Sequence, residues 1–291
     1  MLREHGCGIA PNTYWTAKKR PPSKRAVRDA ELIEDIRRVH AENLCVYGAD
    51  KIWVQLNREG TRVARCTIER LMRTHGISGA RRGKTWVRTT IGDDGANRPA
   101  DLVERQFRAP APNRLWVADL TYVKTHSGWV YVAFIIDVYS RMIVGWQASR
   151  SLRSDLAIDA LEMAVWNRRR SGADLGGLVH HSDRGVQYLS IRYSERLAVN
   201  DIVASVGSKG DSYDNALVES FNGLYKWELI HRRGPWRGLD DVEFATLEYV
   251  EWFNNRRLHG AITGDASYTT PAEHEAAYYR QTTPALEPAT P

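Results

Sequence analysis

The sequence predicts an α/β fold: a mixed sheet whose elements follow in the order βββαβαβα, flanked by helices and preceded by a small all-α domain. Three observations support this prediction. Residues 115–148 contain three runs rich in β-branched and aromatic residues, divided by the short polar segments 127–128 and 140–141. Residues 28–75 repeat apolar residues at helical spacing. Beyond residue 150, segments of helical periodicity alternate with two short apolar runs.

Charge is unevenly distributed along the 291 residues. Residues 1–114 contain 23 Lys and Arg against 13 Asp and Glu, whereas residues 115–291 contain 18 against 22. A chain of this length favours two domains. A basic first part joined to an acidic second part is typical of a nucleic-acid-binding module attached to a chemically active one. The alternative is a basic surface that serves solubility alone.

The first part predicts three short helices after a polar, Pro-rich lead-in at residues 1–27, which we expect to be poorly ordered. The first helix has apolar residues at 32, 33, 36 and 39, the second lies around 52–56, and the third covers 63–75 after a turn at Gly60. Three short helices with a tight turn before the last are typical of a helix-turn-helix domain, which we assign to residues 28–85.

The third helix is expected to present Arg65, Arg70 and Arg73 outward. In a helix-turn-helix domain such residues meet phosphates and base edges in the major groove. In an ordinary three-helix bundle they form a solvated face. The basic stretch at residues 81–84 favours DNA. Residues 86–112, which are irregular and contain several Gly and Pro, are predicted to be a linker.

The second part contains the predicted sheet. We expect strands at 115–123, 129–137 and 142–148, a helix at 154–170, a strand at 178–181, a helix at 190–199, a strand at 202–206, a Gly-containing loop at 207–211, a helix at 214–226 and a helix at about 240–254. The first three strands form an antiparallel meander. This order is that of an RNase H-like core, to which we assign residues 113–235. A helical extension at 236–280 and a disordered tail at 281–291 follow.

Three carboxylates come from separate elements of this core. Asp119 lies in the first strand, Asp183 follows the fourth, and Glu219 lies on a helix with 35 residues between it and Asp183. Clustered carboxylates repel one another unless a cation is bound between them, and Mg²⁺ prefers such oxygen ligands. Two cations bound in this way activate a nucleophile and stabilise the leaving oxygen of a phosphodiester. We therefore predict a metal-dependent site for cutting and joining phosphodiesters.

The helix of Glu219 carries further polar residues on the same side. Asn215, Glu219, Asn222 and Lys226 stand at spacings that share one helix face. An amide-flanked carboxylate followed by a lysine predicts a face that meets metal and phosphate, with Asn215, Asn222 and Lys226 as the expected DNA contacts. An ordinary solvated face is the alternative.

Other polar residues are predicted to be structural. Asp137 ends the second strand and is expected to pair with Arg141. His180 and His181 have no third His or Cys at ligand spacing, which favours hydrogen bonding over zinc binding. The three Cys are widely spaced and indicate neither a disulfide framework nor a zinc site. The longest apolar run, 129–136, is too short for a membrane span, and no secretory signal is recognisable. We therefore expect a cytoplasmic protein without a membrane partner.

Taken together, these residues resemble a known family, the orfB-type transposases of the insertion-sequence-3 group. Its members are related to retroviral integrases and have an RNase H-like core with a DDE motif. The resemblance covers about residues 26–275. It is carried by YG at 47–48, TIERLM at 67–72, NRLWVADLTY at 113–122, FIIDVYSR at 134–141, GW at 145–146, HSDRGVQY at 181–188, GDSYDNA at 210–216, ESFN at 219–222, FNNRRLH at 253–259 and TTP at 269–271.

The resemblance implies that Asp119, Asp183 and Glu219 are the catalytic and metal-binding triad and that Lys226 contacts DNA beside it. It further implies Mg²⁺, for which Mn²⁺ can substitute, and no ATP. One strand is nicked at an element end, and the freed 3′-hydroxyl attacks another phosphodiester. The implied partners are double-stranded DNA with the terminal inverted repeats, target DNA, further copies of the chain, and an upstream-frame protein or frameshift fusion. The implied location is the bacterial nucleoid.

Two alternatives remain open. A simple RNase H-like nuclease would only hydrolyse its substrate, and a decayed protein would bind element ends without catalysis. The helix-turn-helix pattern and the 35-residue spacing argue against the first. The presence of all three carboxylates argues against the second.

Overall fold

The computed structural model describes residues 10–81, 103, 107–183, 188, 190–206, 216–260, 262 and 267–282, apart from the side chains of residues 11, 216 and 219. The predicted loop at 207–211, most of the predicted linker at 86–112 and most of the predicted tail at 281–291 lie outside these ranges. The chain divides into two compact units, Met1–Gly79 and Ala80–Pro291.

The first unit is helical. Its helices are α1 (Pro11–Lys19), α2 (Lys24–Glu42), α3 (Ala49–Arg58) and α4 (Arg65–Thr74). The prediction of a poorly ordered lead-in is wrong for residues 11–19 and 24–27, which are helical. A proline in the first turn of α1 and two lysines in its last turn both favour a helix, because they suit the free backbone groups and the dipole at the two ends.

The packing of α2, α3 and α4 follows their apolar faces. Ser23 caps α2 by accepting a hydrogen bond from the backbone N–H of Ala26 at 3.2 Å. The buried residues of the three helices are Leu32, Ile33, Ile36, Val39, Ile52, Leu56, Ile68, Leu71 and Met72. Between α3 and α4, Gly60 has a φ of 92°, a left-handed conformation that favours glycine. Trp53 Nε1 donates to the Val63 carbonyl at 2.8 Å across the same turn.

A five-stranded mixed sheet forms the centre of the second unit. Its strands are β1 (Leu115–Thr125), β2 (Gly128–Asp137), β3 (Ile143–Ser149), β4 (Val179–Ser182) and β5 (Val203–Val206), in the order β3-β2-β1-β4-β5. β1, β2 and β3 pair antiparallel, whereas β4 is parallel to β1 and to β5. The predicted meander and mixed sheet are confirmed, and each strand lies within two residues of its predicted bounds.

Helices cover both faces of the sheet. They are α5 (Ser154–Arg170), α6 (Ile191–Val199), α7 (Ala216–Tyr225), α8 (His231–Arg233), α9 (Leu239–Asn255) and α10 (Pro271–Thr282), and a π-helical turn at Lys226–Ile230 joins α7 to α8. On one face, Trp116 of β1 belongs to a buried cluster with Leu161 of α5. On the other face, Phe134 of β2 contacts Phe221 and Tyr225 of α7, each with ring centroids 4.9 Å apart. The last two residues of α10 fall within the predicted disordered tail and are helical.

Two buried ion pairs connect helical segments of the second unit. Arg257, after α9, donates to Glu228 from Nη2 at 2.5 Å and from Nε at 2.9 Å. The Tyr249 hydroxyl donates to the same carboxylate at 3.0 Å. Arg168 of α5 makes a second two-pronged pair with Glu275 of α10. Because Glu228 lies in the π-helical turn, the first pair connects that turn to the C-terminal extension.

Asp137 stabilises the loop between β2 and β3 through hydrogen bonds. Its buried carboxylate accepts from the backbone N–H of Asn113 at 2.6 Å, and from the backbone N–H and hydroxyl of Ser140 at 2.8 and 3.0 Å. The predicted side-chain pair with Arg141 is wrong, since no such ion pair occurs in the described loop. Arg141 instead donates its backbone N–H to the Asp137 carbonyl at 2.8 Å. The carboxylate is occupied by the loop's own donors.

The edge strand β3 meets one side chain of α9. Asn254 accepts the backbone N–H of Ile143 at 2.9 Å through Oδ1 and donates from Nδ2 to the Ile143 carbonyl at 2.9 Å. This amide therefore bonds the two backbone groups of Ile143 that face away from β2.

Within the described ranges, no helix combines the length and the apolar character that a bilayer crossing requires.

Candidate active site

Asp119 of β1 lies beside Asp183, the residue that directly follows the neighbouring strand β4. In the parallel pairing of β1 with β4, Ala118 is the register partner of Ser182. Asp119 and Asp183 are the next residues on each chain, so the ladder brings them to the same level of the sheet. The sequence alone does not say whether the first and fourth strands are neighbours. The sheet order shows that they are, and this adjacency brings the two aspartates together.

Helix α7 reaches β1 at Asp119. Asn222 Nδ2 donates to Asp119 Oδ2 at 2.8 Å, while the other carboxylate oxygen accepts the backbone N–H of Leu120 at 2.7 Å. One turn later, Lys226 Nζ lies 4.4 Å from the centroid of the Tyr122 ring. Two of the four residues predicted to share a helix face therefore meet the strand that carries Asp119.

The other two members of that face are only partly described. Glu219 lies on α7, three residues before Asn222, so its backbone belongs to the helix that contacts Asp119. Residues at this spacing lie on the same side of a helix. The side chain of Glu219 and all of Asn215 lie outside the described residues.

Lys226 is half-buried beside a carboxylate. Burial lowers the pKa of its ammonium group, and the neighbouring Asp119 carboxylate opposes that shift. The aromatic face of Tyr122 also favours the charged form. The arrangement places a positive charge next to Asp119, where it can attract a phosphate.

Tyr188 is a residue of this site to which the sequence assigned no role. Burial raises the pKa of its hydroxyl well above the usual range, with smaller contributions from Tyr193, Asp119 and Asp183. The hydroxyl is therefore protonated and lies within electrostatic range of both aspartates. Its position five residues after Asp183 was the available signal, but a single tyrosine is more often a packing residue than part of a site.

The oxygen atoms of the site fit a hard divalent cation. Asp119 and Asp183 supply carboxylate oxygens, the ligands that Mg²⁺ prefers. Two further buried oxygens, the Tyr188 hydroxyl and Asn222 Oδ1, have no hydrogen-bond partner among the described residues. Mg²⁺ keeps several of its waters, and such waters would satisfy atoms of this kind. No group of three metal-ligating side chains occurs in the described part, from which the side chain of Glu219 is missing.

The two histidines before Asp183 make structural hydrogen bonds. His180 Nε2 lies 3.0 Å from the Tyr193 hydroxyl, and His181 Nδ1 lies 2.9 Å from Ser205 Oγ. Burial lowers the pKa of His180 to about 3, with His181 contributing in the same direction. The expectation of hydrogen-bonding histidines at a strand end agrees with these contacts.

The arginines of α4 differ in their surroundings. Arg65 pairs with Asp50 and with Glu69, both at 2.9 Å. Arg70 Nη2 donates to the two carboxylate oxygens of Asp29 in α2, at 2.8 and 2.9 Å. Arg73 is exposed and has no acidic partner among the described residues.

Three protein-family models match parts of this chain. Residues 27–85 match the model of an HTH-like domain, and residues 109–212 and 200–266 match two models of an integrase core domain. Among solved structures, the HTLV-2 integrase catalytic core domain in complex with magnesium is 20% identical, with a TM-score of 0.43 over 56% of this chain and 97% of that chain.

Curated relatives match over most of their length. The putative transposase for insertion sequence element IS986/IS6110 of Mycobacterium tuberculosis is 56% identical over 274 residues, which cover 94% of this chain and 97% of the relative. The transposase for IS629 of Shigella sonnei is 51% identical, covering 93% and 89%. Transposase InsF for insertion sequence IS3A of Escherichia coli is 36% identical, covering 75% and 74%. The chain therefore belongs to the insertion-element transposases of the insertion-sequence-3 group, with an HTH-like domain followed by an integrase core.

Proposed function

We propose that this transposase is a DDE polynucleotidyl transferase that nicks one strand at an element end and joins the freed 3′-hydroxyl to another phosphodiester. One observation carries the proposal: the hydrogen bond from Asn222 to Asp119 joins the helix of Glu219 to the strand beside Asp183. The three elements that bear the carboxylates thus meet at one point of the sheet.

Asp119, Asp183 and Glu219 would hold the metal ions. When bound, Mg²⁺, or Mn²⁺ in its place, would lower the pKa of the attacking hydroxyl or water and stabilise charge on the leaving oxygen. No nucleotide cofactor is needed in this scheme. The nick is a hydrolysis, in which water breaks one phosphodiester and leaves a 3′-hydroxyl. In the joining step this hydroxyl forms a new phosphodiester while the 3′-oxygen of the target strand leaves, so one bond is exchanged for another.

The remaining side chains of the site would orient the Asp119 carboxylate and attract the phosphates of DNA. Asn222 fixes the rotation of the Asp119 carboxylate, since its amide and the Leu120 N–H bind one oxygen each. Lys226 would meet a non-bridging phosphate oxygen, to which its ammonium group is electrostatically complementary. Asn215, the residue before α7 in the sequence, is expected to contact the same DNA strand.

The HTH-like unit would bind the terminal inverted repeats as double-stranded DNA. Of the three predicted contacts, exposed Arg73 is the strongest candidate for a phosphate, and Arg65 and Arg70 would bind through guanidinium groups that already pair with carboxylates. Further copies of the chain and an upstream-frame protein or fusion complete the assembly that we propose, in the bacterial cytoplasm at the nucleoid.

A strand-transfer assay tests the chemistry. The chain is incubated with labelled DNA that carries the element's own end, in Mg²⁺ or Mn²⁺ and without ATP. We expect joined products from the wild type and none from Asp183→Asn or Glu219→Gln. Glu195→Gln, which changes an exposed glutamate of α6, serves as the matched control and should join normally.

The outcome separates this proposal from its alternatives. Cleavage without joining, also after addition of the upstream-frame protein, would indicate a hydrolytic nuclease. Joining that survives Glu219→Gln would exclude the proposed triad. Tight binding to the element end without cleavage under every condition would indicate a DNA-binding protein that has lost its catalytic activity.

A further inference from the structure

An aromatic and basic surface lies at the hairpin of β1 and β2, exposed at Lys124 and Trp129 and half-buried at Tyr122 and Lys226. We call it the hairpin patch and define it by Tyr122, Lys124, Trp129 and Lys226. Lys124 is the register partner of Trp129, and Tyr122 lies two residues before Lys124, so the three side chains project from the same side of the hairpin. The Tyr122 and Trp129 rings meet edge to face, with centroids 5.2 Å apart.

The indole of Trp129 is unusually exposed to solvent for a side chain of its size. It is 48% exposed, although large aromatic side chains are mostly buried. Its partner across the hairpin, Lys124, is exposed as well. An exposed tryptophan that already packs edge to face against Tyr122 retains a free ring face, on which another flat group can stack.

The hairpin patch borders the candidate active site. Lys226 lies over the Tyr122 ring at 4.4 Å and follows, by one helical turn, the Asn222 that bonds Asp119. A chain of direct contacts therefore leads from Trp129 through Tyr122 to Lys226, and the helix continues it to Asp119. A DNA strand that meets Asp119 would pass within reach of this patch.

The hairpin has a fixed position relative to the helices. At its turn, the backbone N–H of His126 donates to the Trp236 carbonyl at 2.9 Å, and the N–H and hydroxyl of Ser127 donate to the Arg237 carbonyl at 3.1 and 2.8 Å. These bonds hold the tip to the segment between α8 and α9. Trp129 is thus presented on a rigid support, which lowers the entropic cost of binding.

We propose that Trp129 and Tyr122 bind an unstacked nucleobase of the DNA strand at the active site, with Lys124 and Lys226 on its phosphates. Aromatic rings between cations are the means by which proteins bind single-stranded nucleic acid, because every base has a π-face and every phosphate a negative charge. Two lysines make the patch complementary to a polyanion and unfavourable for a neutral apolar partner. The inference rests on the proposed function, since it assigns a subsite to the same DNA.

Fluorescence of 2-aminopurine tests the subsite directly. Element-end DNA carries this base at each position flanking the scissile phosphate in turn, unpaired by a mismatch, and binding is measured without divalent cations so that no strand is cut. We expect wild type to quench the fluorescence at one or two adjacent positions. Trp129→Ala should abolish the quenching and weaken binding roughly 5- to 100-fold, as for the loss of one base-stacking aromatic.

Matched variants exclude an indirect effect. Trp129→Phe should retain part of the quenching, whereas Trp129→Leu, which keeps apolar contact with Tyr122, should lose it. Trp166→Ala is the control: that indole is 58% exposed, has the Arg170 guanidinium 5.0 Å from its ring and lines a groove between α5 and α6. It should bind and quench like wild type.

Two results would overturn the inference. Equal quenching and affinity in wild type and Trp129→Ala would show that no base stacks there. An equal loss of affinity for fully paired DNA would assign the patch to duplex or protein contact. The readout is independent of the chemistry: if Glu219→Gln left joining unchanged, the proposed triad would fail while the quenching result would stand by itself.

Discussion

Asn222 donates from Nδ2 to Asp119 Oδ2 at 2.8 Å, across 103 positions of the sequence. The bond is the described contact that joins the helix carrying Glu219 to the strand carrying the first aspartate. Because Leu120 N–H binds the other oxygen, the carboxylate has one orientation before any metal or DNA arrives. Such preorganisation reduces the reorganisation needed at the moment of reaction.

Because its amide N–H bonds Asp119, replacing Asn222 is expected to slow joining more than it weakens DNA binding. A hydrogen bond to a charged group contributes about 1.5–3 kcal/mol, which corresponds to roughly a 10- to 100-fold lower rate for Asn222→Ala. Asn222→Asp should be slower still, because a second negative charge would face Asp119. Single-turnover rates of joining measure this. Asn255→Ala, an exposed asparagine of α9, is the control, and an unchanged rate in Asn222→Ala would refute the positioning role.

His180 is expected to make stability depend on acid. Its pKa of about 3 in the folded chain lies below the usual value of 6.5, so the unfolded chain binds the proton more readily. The stabilisation is complete above about pH 6.5 and is lost progressively as the pH falls toward 3, by an amount on the order of 5 kcal/mol. Urea unfolding at pH 7, 5 and 4 measures the slope.

His180→Phe is the informative variant for that slope. It removes the titrating group as well as the bond to Tyr193, so it should be less stable than wild type at pH 7 and should approach it at pH 4. His126→Gln, at an exposed histidine of the β1–β2 turn, should keep the wild-type slope. Parallel curves for wild type and His180→Phe would contradict the assignment.

Arg257 is expected to contribute to stability through Glu228. Both side chains are about 95% buried, with exposures of 6% and 5%. Arg257→Met leaves a buried carboxylate without its cation, which should cost about 3–5 kcal/mol in the free energy of unfolding. Adding Glu228→Gln should restore part of that loss, because the uncompensated charge is removed.

A surface pair provides the comparison for this experiment. Arg233 and Glu248 lie 2.7 Å apart, but their side chains are 39% and 45% exposed. Arg233→Met should therefore cost less than about 1 kcal/mol. Similar losses for the buried and the exposed pair in urea unfolding would refute the distinction.

Arg70 and Arg73 should separate stability from DNA binding. Arg70→Asp breaks the pair with Asp29 and should lower the melting temperature, and the swap Arg70→Asp with Asp29→Arg should recover it. Arg73→Ala should leave the melting temperature unchanged and weaken DNA binding for all sequences. Its plot of log affinity against log salt should flatten by about one unit, as for one lost phosphate contact. A selective loss at one base position would instead make Arg73 a base-reading residue.

Local patterns in the sequence predict the sheet closely. Alternating and continuous apolar runs place each strand within two residues of its observed bounds. The pairing of β1 with β4, which brings Asp119 beside Asp183, comes from the sheet order of the structure. Helical spacing also predicts that Asn222 and Lys226 share a face, and both meet β1.

Contacts between residues that are far apart in the sequence could not be predicted from local sequence patterns. Arg70 pairs with Asp29, which lies 41 residues earlier, so its helix position alone made it a candidate for DNA contact. The π-helical turn after Tyr225 accompanies a buried pair between Glu228 and Arg257, 29 residues apart. Tyr188 gains its raised pKa from burial between elements. Each of these features depends on tertiary packing, which cannot be predicted from the spacing of residues within one helix or strand.

The amide of Asn254 has a consequence for self-association. A strand at the rim of a sheet offers unpaired backbone groups, and another molecule can add a strand of its own there. Asn254 bonds both the N–H and the carbonyl of Ile143, so these two backbone groups on the exposed edge of β3 cannot pair with another strand. Asn254→Leu would unblock a template for intermolecular β-pairing. In the multi-copy assembly on DNA that we propose, this blocked strand edge would keep contacts between copies from leading to aggregation.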